Sequence, residues 1–363
     1  MAREPVRLEV LNPMHVYDSN PHLSLSNYHL SQSSTTANMA RSNRAVVWVA
    51  ARTLEIQERP IDTPGPNDVL VQIMSTGICG SDAHNWESSS VSRQLILGHK
   101  SAGIIVEVGS DVNDRYVGQR VAVEPGCEFC LRGNPNTCAN LKYCGMDPTD
   151  GAIQPLAIAV QLATRAGLTA SKTLAIFGCG PLGLLVITIA KAYGVRKILV
   201  FDVEQSRLDF ALFYGADIEV LSPKTISTSS DPLKSAQEFT NQVLKSHSLN
   251  LSGVDISIEA SGAEPCAQMA VTILKPGGTC IQAGLGQPLT AVPLFLLTTR
   301  ELNIRETVRF TPGCYKEAID LVSRGSVDLK SLITGVYPLT NASEAFLAQS
   351  ERRGVKIVIL NQE

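Results

Sequence analysis

Apolar positions along this chain change their spacing at two places. Between residues 45 and 126 they come as short runs, AVVWVA, VLVQIM, AGIIVEVG and RVAVEPG, split by polar and Pro/Gly turns such as DTPGPND. Runs of that length, rich in β-branched residues and bounded by turn formers, predict strands. From about residue 155 strand patterns alternate with helical ones. KILVF, a helix over about 204–214, IEV, a long polar helix near 232–247, VDISIE, a helix after Glu264 and GTCIQAG follow in order. Such alternation predicts an α/β fold with a doubly wound parallel sheet, because parallel strands need crossover connections. After about residue 306 two helices, YKEAIDLVSRG and NASEAFLAQSERRG, lead to a last strand, VKIVIL. The chain therefore divides into a β-rich domain over 44–154, a parallel-sheet domain over 155–305, and a tail over 306–363 that is expected to return to the first domain. No internal repeat is visible.

One stretch inside the second pattern carries chemistry. TLAIF (173–177) feeds the glycine cluster GCGPLG, then an apolar helix LLVITIAKAY, then KILVF closing on Asp202, 19 residues past Gly183. A strand, a glycine turn, a helix and a second strand ending in an acid make a dinucleotide site. Gly178 permits the tight turn, Gly180 lets a pyrophosphate approach the backbone, and Gly183 lets helix and strand pack closely. With Pro181 and Leu182 the helix begins, and its first N–H groups and positive dipole end face the phosphates. Asp202 is expected to accept hydrogen bonds from the adenosine ribose hydroxyls, while its charge repels a 2′-phosphate, so NAD is favoured over NADP.

The 363 residues suffice for two domains with real cores, and a 44% hydrophobic content fits a soluble globular protein. A net charge of −3 offers no field for nucleic acid or an anionic membrane, and no apolar run approaches a membrane span. Residues 1–43 carry Glu4, Glu9, Asp18 and a polar SQSSTTAN tract without an apolar core segment. That excludes a secretory signal and predicts a disordered leader, or an over-long gene model with Met39 as the start, on a cytoplasmic protein. Nine cysteines in such a chain suggest reduced thiols and possible metal ligands. His15, His22 and His29 lack metal-ligand spacing, His247 ends a polar helix, and Cys179 reads as a small packing residue. Trp86 suits a cleft wall or a core equally.

GPNDVLVQIMSTGICGSDAHNW, LILGHKSAGIIVEVGSDV, VGQRVAVEPG, GCGPLGLL, IEASGAEP and REL together resemble the zinc-containing medium-chain alcohol dehydrogenases, most closely the sorbitol, xylitol and L-arabinitol dehydrogenase branch. The resemblance runs from about Arg44 to Leu360. It implies a GroES-like catalytic domain beside a Rossmann domain, a cleft between them, and hydride transfer between a polyol carbon and NAD. It also implies a homo-oligomer, dimer or tetramer, joined through the Rossmann sheet edge. By resemblance Cys79 and His99 stand at ligand positions for a catalytic zinc, and Ser81 and His84 fit the relay that carries the hydroxyl proton to solvent. Arg207 sits where relatives support the adenosine end, and Gly262 and Gly284 where strand ends face the cofactor. Arg300 and Glu301 match a pair at the substrate end, Arg300 as a donor to a polyol hydroxyl, against the alternative of a surface ion pair.

Departures from the family pattern bear on both metal sites. Lys100 replaces a Glu after the Gly-His pair, and Gln154 replaces a Glu before PLA. A thiolate then faces an ammonium, and about two positive charges go uncompensated around a divalent ion. At an effective dielectric of about 20, a unit pair at ~4 Å is worth about 4 kcal/mol, and a divalent ion facing Lys100 feels roughly double that repulsion. The charge count argues against catalytic zinc. In the structural lobe Cys127, Cys130 and Cys138 match three of four family cysteines, which leaves open a structural zinc completed by Cys144 or three reduced thiols without metal. Between Gly151 and Pro155 only AIQ stands where the family has a long stretch. This is either a repurposed or decayed relative or a gene model that lost an exon.

These readings converge on an NAD-dependent oxidoreductase of a small-molecule alcohol or ketone, in which Lys100 takes over the electrostatic work of the metal if zinc is absent. Two alternatives stand beside it. One is a zinc-free reductase of another carbonyl or alkene; the other is a protein that keeps NAD as a structural or sensing ligand.

Overall fold

The computed structural model describes residues 43–88, 94–98, 100–123, 155–223, 231–311 and 313–361. The candidate ligands His99, Cys127, Cys130 and Cys138, the leader, and the Gly151–Gln154 junction lie outside them. Contacts divide the chain into two units. One holds the described residues up to Val123 and from Leu329 on; the other is Pro155–Asp328.

In the first unit the apolar runs become β1 (Arg44–Ala50), β3 (Val69–Gly77), β5 (Ser101–Val108) and β6 (Arg120–Ala122), joined by β2 (Thr53–Glu58) and β4 (Leu95–Ile96). They form two sheets. A three-stranded antiparallel sheet runs β2-β1-β4, and a five-stranded sheet adds β13 (Ile333–Pro338) and β14 (Lys356–Leu360) in the order β13-β14-β3-β5-β6. The last strand therefore returns to this unit, pairing antiparallel with β3, with Val358 opposite Gly77. Trp48, Trp86, Phe346 and Ile357 meet in its core, and the Trp86 and Phe346 rings lie 5.9 Å apart. Trp86 is thus a core residue, 3% exposed.

In the second unit β7 (Thr173–Phe177), β8 (Lys197–Asp202), β9 (Ile218–Leu221), β10 (Val254–Glu259), β11 (Leu274–Gln282) and β12 (Asn303–Glu306) form one parallel sheet. Its order is β12-β11-β10-β7-β8-β9. The chain moves outward from β7 through β9, crosses back, and continues outward from β10, which is the Rossmann arrangement with its switch point between β7 and β10. Phe177 and Phe201 stack across β7 and β8 at 4.3 Å, worth about 0.5–1.5 kcal/mol beyond their burial. Residues 183–190 of the helix Pro181–Ala192 are all buried, as expected of a helix apolar on every face. The helix Pro232–Ser246 is amphipathic instead. It buries Ala236, Thr240, Val243 and Leu244 on one stripe, and Asp231 caps it by accepting from the Leu233 and Lys234 N–H groups at 3.1 Å.

The helix Cys314–Ser323 packs on Pro155–Ala166 and belongs to this second unit, although the sequence reading closes that domain at 305. Thr311 and Cys314 both reach Gln161 Oε1, at 2.7 and 3.1 Å. Tyr193 hydrogen-bonds Glu317, and Tyr214 hydrogen-bonds the Asp328 carbonyl. Those side-chain links, invisible to periodicity, hold the segment where it is.

Candidate active site

At the carboxyl ends of β7 and β8 the glycine cluster makes its turn. Gly178 has φ +100°, and a Cβ there would lie 3.0 Å from Ser261 Cβ, so both conformation and space demand glycine. Gly183 is required by contact alone, since a Cβ would sit 2.0 Å from the Gly178 carbonyl oxygen. Gly180 differs from both. It is the N-cap of Pro181–Ala192 in extended conformation, and a Cβ on it would meet nothing within 4 Å. The side that Gly180 leaves bare is where a phosphate can approach the helix N–H groups.

Asp202 ends β8 and is 7% exposed. One carboxylate oxygen accepts from the Cys179 N–H at 2.8 Å, the other from the Glu204 N–H at 3.0 Å, and the Arg207 guanidinium stands 3.8 Å away. The acid thus ties the glycine turn to its own strand. Each oxygen keeps a further lone pair for a diol. Burial, reinforced by the Asp202 charge, pushes the Cys179 thiol up to about 12, so it stays protonated and inert, as a packing residue should.

Across the switch point, Glu259 closes β10 with no exposed surface. Its carboxylate accepts from the Ser261 N–H at 2.8 Å, the Gly262 N–H at 3.0 Å and Gln282 Nε2 at 2.7 Å, and from the Ser261 hydroxyl. Gly262, at φ +77°, and Gly284 lie against each other: a Cβ on Gly284 would fall 2.1 Å from the Gly262 nitrogen. Both expected cofactor glycines are therefore needed for close approach of the two loops, whatever else they contact. Glu259, which folds those loops, escaped the sequence reading because an acid closing an apolar run looks like the start of a solvated turn.

The first unit assembles its own cluster. Cys79 is the N-cap of the helix Gly80–Glu87, and Asp82, 1% exposed, accepts from the Cys79 N–H at 2.8 Å. Ser81 and His84, three residues apart, share the exposed face of that helix. Lys100 is 7% exposed, and its carbonyl accepts from the Gly77 N–H at 2.8 Å. From β14 comes Lys356, whose ammonium donates to the Ile78 carbonyl at 2.7 Å. A Cβ on Gly77 would lie 2.9 Å from Lys356 Nζ and 3.7 Å from Lys100 Cβ, so the two lysines flank the same short segment just before Cys79. Burial, with the neighbouring Lys100 charge, brings the Lys356 amine down to about 7, against the opposing pull of Cys79 and Asp82.

An ammonium such as that of Lys356 is no ligand for a divalent cation, which binds through deprotonated, electron-rich groups. Among the described residues no three His, Cys, Asp or Glu side chains gather as a metal site. His99, the other expected ligand, lies outside the described residues. The coenzyme site, by contrast, fits its ligand: a bare N-cap glycine, an adjoining acid and the amino end of a buried helix meet at one place.

Arg300 stands elsewhere. It C-caps the helix Leu294–Thr299, and its guanidinium donates to the Leu274 carbonyl at 3.3 Å, at the amino end of β11 and away from the carboxyl ends that face the coenzyme. Arg309 follows the carboxyl end of β12 with φ +59°, a conformation that costs a non-glycine residue energy. His247 is the C-cap of Pro232–Ser246.

The Alcohol dehydrogenase GroES-like domain family matches residues 65–164, and the Zinc-binding dehydrogenase family matches 181–324. Over 363 aligned residues the chain is 34% identical to D-xylulose reductase A of Aspergillus niger, covering 90% of this chain and 98% of that protein. Its fold is similar to that of an Escherichia coli oxidoreductase/dehydrogenase of unknown specificity, with a TM-score of 0.77 and 26% identity over 89% of this chain and all of that one. A second similar structure is L-idonate 5-dehydrogenase of Escherichia coli, with a TM-score of 0.74 and 25% identity, covering 87% and 97% of the two chains.

Proposed function

Because the chain belongs to the zinc-type medium-chain alcohol dehydrogenase family, in its polyol branch, we propose that it interconverts a polyol, or another secondary alcohol, and the corresponding ketone with NAD as hydride carrier. One observation carries the coenzyme assignment: the open N-cap of Gly180 beside the buried Asp202, at the switch point of a parallel sheet. NAD supplies the hydride chemistry when bound. The chain's part is to hold it. Gly178, Gly180, Pro181, Leu182 and Gly183 present the phosphate-binding turn, Asp202 and Arg207 take the adenosine end, and Glu259 keeps the Gly262 and Gly284 loops in register.

For the alcohol, Lys100 supplies in this reading the positive charge that a metal would otherwise supply. An ammonium beside a substrate oxygen stabilises the alkoxide that develops as hydride leaves, and Ser81 with His84 passes the proton outward. Arg309, past a strand's carboxyl end, is better placed than Arg300 to meet a hydroxyl. D-xylulose, suggested by the 34% identical reductase, is the first ketone to assay.

Self-association is part of the proposal. All four residues of β12 are exposed at the sheet's edge, and Leu285, Leu289, Leu294 and Phe295 are 90, 88, 71 and 83% exposed on the segment leading to it. An unpaired edge next to bare apolar side chains is a surface made for a second copy. We assign the protein to the cytoplasm, and among the described residues no helix is long and apolar enough to cross a membrane.

The test combines an NADH titration, turnover on a panel of polyols and ketones, and zinc content, for wild type and for Lys100→Ala and Lys100→Glu. Saturable NADH binding with turnover that collapses in both variants supports the reading. Stoichiometric zinc in active wild type together with an unimpaired Lys100→Ala removes Lys100 from it, and no NADH binding removes the coenzyme.

A further inference from the structure

At the amino ends of the parallel strands, on the opposite side of the sheet from Asp202 and Glu259, lies a cavity of about 500 Å³. Thr173, Lys197, Asp255 and Lys275, from the starts of four neighbouring strands, line it together with Arg196 and Asn250. Its volume falls within the roughly 300–1,000 Å³ usual for small-molecule sites. With β7 five residues long and β8 six, it is removed from the glycine turn by roughly 16–20 Å at ~3.3 Å per residue.

The charge in this cavity is one-sided. Asp255 is the one acid in the lining, and it is already engaged. It accepts from the Thr173 N–H at 2.8 Å, from the Thr173 hydroxyl at 2.6 Å and from Lys275 Nζ at 2.6 Å, and Lys172 stands 3.9 Å off. Burial alone would raise its carboxyl, but the Lys275 and Thr173 hydrogen bonds outweigh that and hold it far below the usual carboxylate range. Asp255 thus neutralises Lys275. Arg196 and Lys197 are left, and among the described residues neither has a carboxylate at ion-pair distance. The Arg196 N–H donates to the Lys172 carbonyl at 3.0 Å, which sets a further cation alongside. In a chain of net charge −3, this surplus is local rather than a reflection of overall composition.

We propose that the cavity is a second ligand site, for a small organic phosphate. A phosphomonoester carries about −1.5 to −2 charges at neutral pH, which matches two unpaired cations. The guanidinium fork of Arg196 suits two of its oxygens, Lys197 adds a point charge, and polar walls such as Asn250 meet the organic part. Because the site opens at the far ends of the strands, its ligand does not compete with the coenzyme.

Isothermal titration of inorganic phosphate into the full chain, saturated with NADH so that the glycine turn is filled, tests the idea. Saturable binding, weakened at least tenfold in Arg196→Ala/Lys197→Ala and falling steeply with added salt, is expected, with NADH affinity unchanged in that variant. Both side chains are outside the core, and the melting temperature of the variant checks that it folds. The single variant Lys197→Gln serves if the double one does not. No saturable heat, or the same affinity in wild type and variant, overturns the proposal. A variant that only melts lower while binding phosphate normally also overturns it, and shows cations that merely offset the nearby helix carboxyl ends. If NADH itself fails to bind, the coenzyme reading falls alone, and the same comparison of wild type and variant on the coenzyme-free chain decides this one.

Discussion

Alanine substitutions at two glycines of the same turn should differ in their effect on stability while both damage coenzyme binding. Gly180 has φ −73° and ψ −178°, open to any residue, and its added Cβ would touch nothing within 4 Å. Gly180→Ala should therefore leave the free protein close to wild type in stability, because the freedom lost by the unfolded chain, about 0.4–1 kcal/mol, is offset by alanine being a poorer N-cap than glycine. The new methyl group would then occupy the face that a pyrophosphate needs. A tenfold rise in the NADH dissociation constant, about 1.4 kcal/mol, is the least effect expected. In Gly183→Ala the Cβ would fall 2.0 Å from the Gly178 carbonyl oxygen, so strand and helix must part. Overpacking of that kind costs roughly 1–3 kcal/mol. At about 2–4 °C per kcal/mol for a unit of this size, the melting temperature should drop by several degrees. Paired measurements, thermal unfolding of the free protein and NADH fluorescence titration, separate the two variants. Wild-type NADH affinity in Gly180→Ala would refute the claim that phosphates lie over this turn.

Two further outcomes follow from the acids and amines of the sites. Lys356→Met removes an amine whose folded value is about 7, against about 10.4 when unfolded, so between those limits the unfolded state binds more protons and the folded wild type gains stability as pH rises. The advantage of the Met variant over wild type should shrink by about 2 kcal/mol between pH 7 and 9, less what residual solvent contact screens. Urea unfolding of chelator-dialysed protein at the two pH values reads it, and a pH-independent difference contradicts it. Asp202→Asn keeps an oxygen for the Cys179 N–H but loses the charge, so the preference for NADH over NADPH should fall at least tenfold with little change in melting temperature. An unchanged ratio would place the 2′-hydroxyl somewhere else.

The parallel sheet was legible because its signals are local. TLAIF, the glycine spacing and KILVF ending in Asp202 are contiguous, and each residue's role follows from its own conformation or its nearest neighbours. Strands β2 and β13 were not foreseen: TLEIQE is mostly exposed, and ITGVYP contains the glycine and proline that ordinarily stop a strand. Lys356 was hidden because a lysine opening KIVIL reads as a solvated edge, and only pairing with β3 brings its amine beside Ile78 and Lys100. Arg300 is a different case: a motif match expects it near substrate, while its guanidinium donates to the Leu274 carbonyl at the amino end of the sheet. Periodicity reports which face is buried and says nothing of which end of a strand a loop joins.

The position of β14 sets the order in which this protein can be finished. During synthesis β3 leaves the ribosome with one edge waiting for residues some 280 positions later, and the whole of Pro155–Asp328 emerges in between. Closing so long a loop makes completion of the β-rich unit a late and slow event. A ribosome that stalls before residue 356 leaves a nascent chain with an unzipped seam, the form in which a chaperone or a neighbouring polypeptide would find it.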